Sequence, residues 1–97
     1  MVVISYGALR TYMEKHPDSE EALNNWYRIS QKADWSHFHE LKDFFNSVDA
    51  IGNDLYVINI RGNKYRLIVR IIFRVRTIFI KFVGSHAEYD RIDISTL

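Results

Sequence analysis

"LYVINIRGNKYRLIVRIIF", residues 55 to 73, decides the fold. Two runs rich in Val, Ile, Leu and Tyr flank Gly62-Asn63, a pair that favours a two-residue hairpin loop. With those two residues as the loop, Arg61 faces Lys64, Ile60 faces Tyr65, and Asn59 faces Arg66. Alternation then puts Tyr65, Leu67, Val69, Ile71 and Phe73 on one face and Arg66, Ile68, Arg70 and Ile72 on the other. A further run, "TIFIKFV" at 77–83, offers Ile78, Ile80 and Phe82 as one apolar face. Matched to the Tyr65 side, it leaves Phe79, Lys81 and Val83 beside Arg66 and Arg70.

Upstream the period changes. Val2 to Ile4 read as a short β-branched strand, and Leu9, Tyr12, Met13 and His16 follow at helical spacing. Pro17 stops that helix. Asp18 and Glu21 have the spacing of a capping box for a second helix, with Ala22, Trp26, Ile29 and Ala33 as its stripe. Ser36 is placed to cap a third, with Phe38, Leu41 and Phe45 inward. "NSVDAIGND", 46–54, reads as a loop from its Asn, Asp, Ser and Gly content. The expected architecture is α+β: a single domain over 1–97, a small antiparallel sheet with the N-terminal helices packed on one face.

The chain has 97 residues, enough for one modest core. It has no cysteine, which excludes disulfides and thiolate metal sites and leaves a cytoplasmic location open. No apolar run approaches the roughly 18 residues of a membrane span, and "MVVISYGALR" lacks the pattern of a signal peptide. His37 and His39 of "SHFHE" lie about 200° apart on a helix and cannot face one ion. No metal and no other cofactor is expected.

Net charge is +1, but it is unevenly spread. Residues 1–55 carry five basic groups against nine acids, whereas residues 56–97 carry eight against three. A basic half points to a polyanion on one side, although solvated strand edges alone can produce the same asymmetry. On the expected open sheet face, Asn59, Arg66, Arg70 and Lys81 stand among apolar residues. The strand then ends at Gly84, and "SHAEYD" places His86 and Tyr89 over the same end of the sheet as Asn63 and Lys64. Arginine forks suit phosphates, aromatic rings stack on unpaired bases, and an imidazole, titrating near 6.5, suits acid–base work. Lys64, Arg66, His86 and Tyr89 are the candidate catalytic set, and Asn59, Asn63, Arg70 and Lys81 the candidate RNA contacts. Taken singly, each has a plainer reading as a solvated or packing residue, and only their convergence favours a site.

The run "INIRGNKYRLIVRI", followed by "IKFVGSHAEYDRID", closely resembles the HigB toxin family within the RelE/ParE superfamily, as does "KHPDSEEALNNWYRISQKADW". The resemblance implies a small metal-independent endoribonuclease that cuts mRNA on the translating ribosome. It also implies a cognate HigA-like antitoxin with a helix-turn-helix domain, through which alone the toxin would meet DNA. The family's basic strand maps onto Lys64 and Arg66 with Arg70 beyond, and its post-strand motif onto His86, Tyr89 and Asp90. A non-catalytic ribosome- or antitoxin-binding module and a gyrase inhibitor like the ParE branch are the competing functions.

Overall fold

The computed structural model describes residues 1–45 and 47–97. Its elements are β1 (Val2–Ile4), α1 (Tyr6–Lys15), α2 (Glu20–Lys32), α3 (Phe38–Lys42), β2 (Val48–Gly52), β3 (Leu55–Ile60), β4 (Tyr65–Ile72), β5 (Thr77–Ser85) and α4 (His86–Arg91). The strands form one sheet in the order β1-β5-β4-β3-β2. All neighbours are antiparallel except β1, which runs parallel to β5 and makes the sheet mixed. No helix among the described residues is long and apolar enough to cross a membrane.

The hairpin has the expected register, with Asn59 opposite Arg66 and Ile60 opposite Tyr65. Its positive φ angles fall on Arg61 and Gly62, not on Gly62-Asn63, so the loop is the wider Arg61–Lys64 turn. One sheet face carries Ile58, Ile60, Tyr65, Leu67, Val69, Ile71, Ile78 and Ile80 into the main core, against Leu9, Met13, Leu23, Trp26, Trp35 and Leu41 of the helical layer. In α2 the buried positions are Leu23, Trp26 and Ser30, with Ala22, Ile29 and Ala33 only half-buried. The stripe is rotated by one residue from its expected centre.

Three local expectations are corrected. Residues 48–52 are a strand: Val48 is buried and Ile51 packs beneath the sheet, which suffices for an edge position despite the turn-forming composition. Asn46, also in that expected loop, lies outside the described residues. Asp18 does not cap α2; it sits in a 3₁₀ turn, Pro17–Ser19, and reaches across to the β3–β4 hairpin. Ser36 does not cap α3 with its own oxygen; its N–H and hydroxyl both donate to the Glu40 carboxylate.

The largest difference concerns β5. Ile68 pairs with Phe82 and Val69 with Ile80, so Lys81 falls in a bulge. Phe82 therefore leaves the Ile78–Ile80 face, and Val83 takes a place opposite Leu67, toward the helices. The opposite face is not left open either. Leu55, Val57 and Ile68 form a second core there with Ile51, Phe82, Tyr89, Ile92, Ile94 and Leu97. Leaving that surface in water is costly: a fully buried side chain such as Ile68 contributes about 1.5–3 kcal/mol. The C-terminal segment wraps the sheet for that reason.

Candidate active site at the end of the sheet

Tyr65 lies opposite Ser85 and Arg66 opposite Gly84, so the hairpin end of β4 meets the start of α4. Ser85 begins α4 with a complete capping box: its hydroxyl accepts from the Glu88 N–H, and the Glu88 carboxylate accepts from the Ser85 N–H. Gly84 is required beneath it. A Cβ there would stand 2.5 Å from the Phe82 ring and 3.1 Å from Glu88 Cβ. The absent side chain lets α4 sit down on the strand.

On the second-core face, the Arg66 guanidinium carbon lies 4.6 Å from the centre of the Tyr89 ring. Its Nε is buried and accepted by no group among the described residues, and no carboxylate among them pairs with it. A cation stacked on a phenol and lacking an anion is suited to a phosphate. His86 and Asp90 lie one turn apart on α4, with Nε2 3.5 Å from the carboxylate. About 60° separates His86 from Tyr89 around the helix, against about 100° for Asp90, so His86 lies on the flank nearer the stacked pair.

The other expected residues are placed differently. Lys64 is drawn to Asp18. Arg70 donates to the carbonyls of Asn53 and Leu97, both at 3.2 Å, and serves to tie down the C-terminal wrap. Asn59 donates to Ser47 Oγ at 2.8 Å and to Asn63 Oδ1 at 3.1 Å, so these two amides form one unit at the hairpin base. Lys81 is exposed at the bulge, away from the position opposite Arg66. Five of the eight candidates thus resolve into Arg66 with Tyr89, His86 on the same short helix, and a separate Asn59–Asn63 pair, while Lys64, Arg70 and Lys81 lie apart.

The helical side of the same sheet end holds a second network that the sequence reading missed. Tyr12 donates to Glu88 at 2.9 Å and stacks on His16, with ring centres 4.2 Å apart. Both rings meet Tyr65 edge-on. Burial and then Glu88 push the Tyr12 phenol well above its usual range, and the Ser85 N–H and then the Tyr12 hydroxyl hold Glu88 below the usual carboxylate range. Asp18 accepts from Arg61 at 2.6 Å, from Lys64 and from the Tyr65 hydroxyl. Only the S-x-x-E spelling of Ser85 to Glu88 signalled any of this in advance. The contacts of Asp18 span 43 to 47 residues and leave no local pattern.

The Lys64 and Tyr65 hydrogen bonds, ahead of the Lys64 and Arg61 charges, hold the Asp18 carboxyl down to about 2. A depressed carboxylate contributes stability that is complete above the ordinary carboxyl range near 4 and is lost as pH falls through the folded value. Asp18→Asn should therefore flatten the acid limb of stability between about pH 4 and pH 2. Urea midpoints taken from pH 6 to pH 2 would check this, and an unchanged limb would remove Asp18 from the acid response.

Residues 19–92 match the model of the HigB toxin family, described as a RelE-like toxic component of a toxin–antitoxin system. The chain belongs to the HigB toxin family. It is similar to the mRNA interferase HigB of Escherichia coli O6:H1, 32% identical over 94 residues, covering 95% of this chain and 91% of that protein. It is also similar to the mRNA interferase toxin HigB of Escherichia coli K12, 29% identical over 92 residues, with 93% and 88% covered. The matched span, from Ser19 to Ile92, takes in α2, α3, α4 and strands β2 to β5 and leaves β1 and α1 outside.

Proposed function

We propose that this chain is an mRNA interferase: a metal-independent endoribonuclease that cuts mRNA on the translating ribosome, in the cytoplasm, as the growth-inhibiting member of its toxin–antitoxin module. What supports the reading most is the Arg66 guanidinium, stacked on Tyr89 and without a carboxylate among the described residues, beside the His86–Asp90 pair.

The chemistry follows from those groups. The 2′-hydroxyl of the nucleotide 5′ to the cut attacks the adjacent phosphorus. The P–O5′ bond breaks, leaving a 2′,3′-cyclic phosphate and a 5′-hydroxyl. One proton leaves the attacking oxygen and one reaches the departing oxygen, and His86 serves one of these transfers with Asp90 orienting its ring. Arg66 stabilises charge on the phosphorane oxygens. Tyr89 keeps the guanidinium plane fixed and offers a ring edge to the bound strand. Induction of the chain in a host, followed by mapping of mRNA 5′ ends, tests the reading. New ends within translated frames are expected, and growth arrest without them would favour an inert binding module.

A helix-turn-helix antitoxin of the HigA kind is the proposed partner, and DNA is reached only through it. Its place is the helical side or the β1 edge, where Val2 and Ile4 are 60% and 41% exposed on a strand with one free side. Phosphate contacts release counterions, so RNA affinity should fall steeply with salt, with log K losing about 0.7 per tenfold salt for each phosphate contacted on a single strand. Antitoxin affinity should fall less steeply, because apolar burial releases no ions. Equal slopes in parallel titrations would overturn this division of the surface.

A further inference from the structure

Asp18 holds an unusual position. Its two carboxylate oxygens accept from three donors on one hairpin: Arg61 and Lys64 on Oδ2 and the Tyr65 hydroxyl on Oδ1. Two cations and a hydroxyl converging on one anion make the donor set of a phosphate site, here filled by a residue of the chain itself. The ionic part of the setting is solvated: the Arg61, Lys64 and Asp18 side chains are 50%, 56% and 37% exposed, so screening keeps the pairs weak enough to exchange. The Tyr65 ring is buried and meets Asp18 through its hydroxyl. Beside Asp18 opens a cleft of about 490 Å³, lined by Glu21, Asn25, Arg28 and Arg61. It gives the carboxylate room to swing away. With Asp18 withdrawn, Arg28, Arg61 and Lys64 face two carboxylates, Glu21 on the cleft wall and Glu88, whose charge reaches the Tyr65 hydroxyl. Lys64 sits in the turn two residues before Arg66, at the same end of the sheet though on its helical side, so one RNA strand that passes over that end can reach both.

We propose that Arg61, Lys64 and the Tyr65 hydroxyl form a second phosphate site, for a phosphate flanking the one held at Arg66, and that Asp18 occupies it until RNA displaces it. The inference rests on the RNA reading of the Arg66 site. It adds to that reading a subsite and a built-in competitor. Asp18 lowers RNA affinity in the free protein and returns to the cradle when product leaves.

The test is binding of a fully 2′-O-methylated, hence uncleavable, single-stranded oligonucleotide, followed by anisotropy across a salt series. The parent, Arg66→Ala, Asp18→Ala and Asp18→Asn are compared, with folding of each verified by thermal melting. Asp18→Asn keeps the shape and the acceptor for Tyr65, so it covers the case in which Asp18→Ala does not fold. Removing the carboxylate charge should tighten binding on the order of 10-fold at low salt and steepen the log–log slope by about 0.7, one further phosphate. Adding Arg61→Gln to the Asp18 variant should return both values toward the parent. Folded Asp18 variants that bind no more tightly and with an unchanged slope would overturn the second site, leaving Asp18 as a brace for the hairpin. A parent that binds no RNA, or binds it independently of Arg66, would sink the site and the RNA reading together.

Discussion

Arg66→Ala is expected to abolish growth inhibition and leave the fold intact. Both halves of this expectation come from its surroundings. Arg66 pairs with no carboxylate among the described residues, and its one recorded partner is the face of Tyr89. Truncation therefore costs the fold a cation–π contact at a half-buried position, of the order of 1–2 kcal/mol. For catalysis the loss is of another size. Removing one preorganised group that stabilises transition-state charge typically costs about 10² to 10³ in rate. Growth curves on induction, with circular dichroism of the purified variant, measure the two halves separately. A folded Arg66→Ala protein as toxic as the parent would show that the guanidinium is only a solvated strand residue.

His86→Gln is expected to cut RNA cleavage by about 10² to 10⁴, the usual contribution of a positioned acid–base group, while sparing RNA affinity. The imidazole contacts Asp90 at 3.5 Å and is half-exposed on α4, and no buried neighbour depends on it. Stability should therefore change little. Single-turnover cleavage of ribosome-bound mRNA, with EDTA-treated enzyme in excess and at several pH values, isolates the chemical step. A structural histidine would lower stability and affinity together. Undiminished cleavage by the folded variant would remove His86 from the mechanism and turn attention to Lys64 and Tyr89.

The hairpin could be read in the sequence because two local signals agreed. Gly62-Asn63 centred the turn, although the loop is the wider Arg61–Lys64, and the alternation after Tyr65 set the faces, so Asn59 was placed opposite Arg66 correctly. The same register plus the strand end at Gly84 brought Tyr89 to the end of the sheet that carries Arg66, but not the stacking of the two side chains. Where local signals pointed elsewhere, tertiary contacts prevailed. Asp18 has the spelling of a cap, yet three donors more than forty residues away claimed its oxygens. Residues 48–52 have the composition of a turn, yet the ladder to β3, with Val48 and Ile51 packed against the two cores, holds them as an edge strand. Arg70 looked like an open-face cation because nothing in "DRIDISTL" announced that this segment would return over Ile68 and offer it a carbonyl.

Lys81 makes β5 one residue longer than its partner requires, and this bears on how the chain tolerates changes of length. Ile80 opposes Val69 and Phe82 opposes Ile68, so Lys81 has no rung of its own. It is the one position in the strand whose deletion would keep each neighbour on its present rung and each side chain in its present core. Deleting Ile80 instead would seat a lysine opposite Val69, among side chains closed to water. Ironing out the bulge with Lys81 retained would bring Val83 opposite Arg66 and turn Gly84 toward the helices, where its clearance serves nothing. A single uncounted residue thus fixes the phase in which α4 arrives, and the geometry of Arg66 and Tyr89 is inherited from that phase.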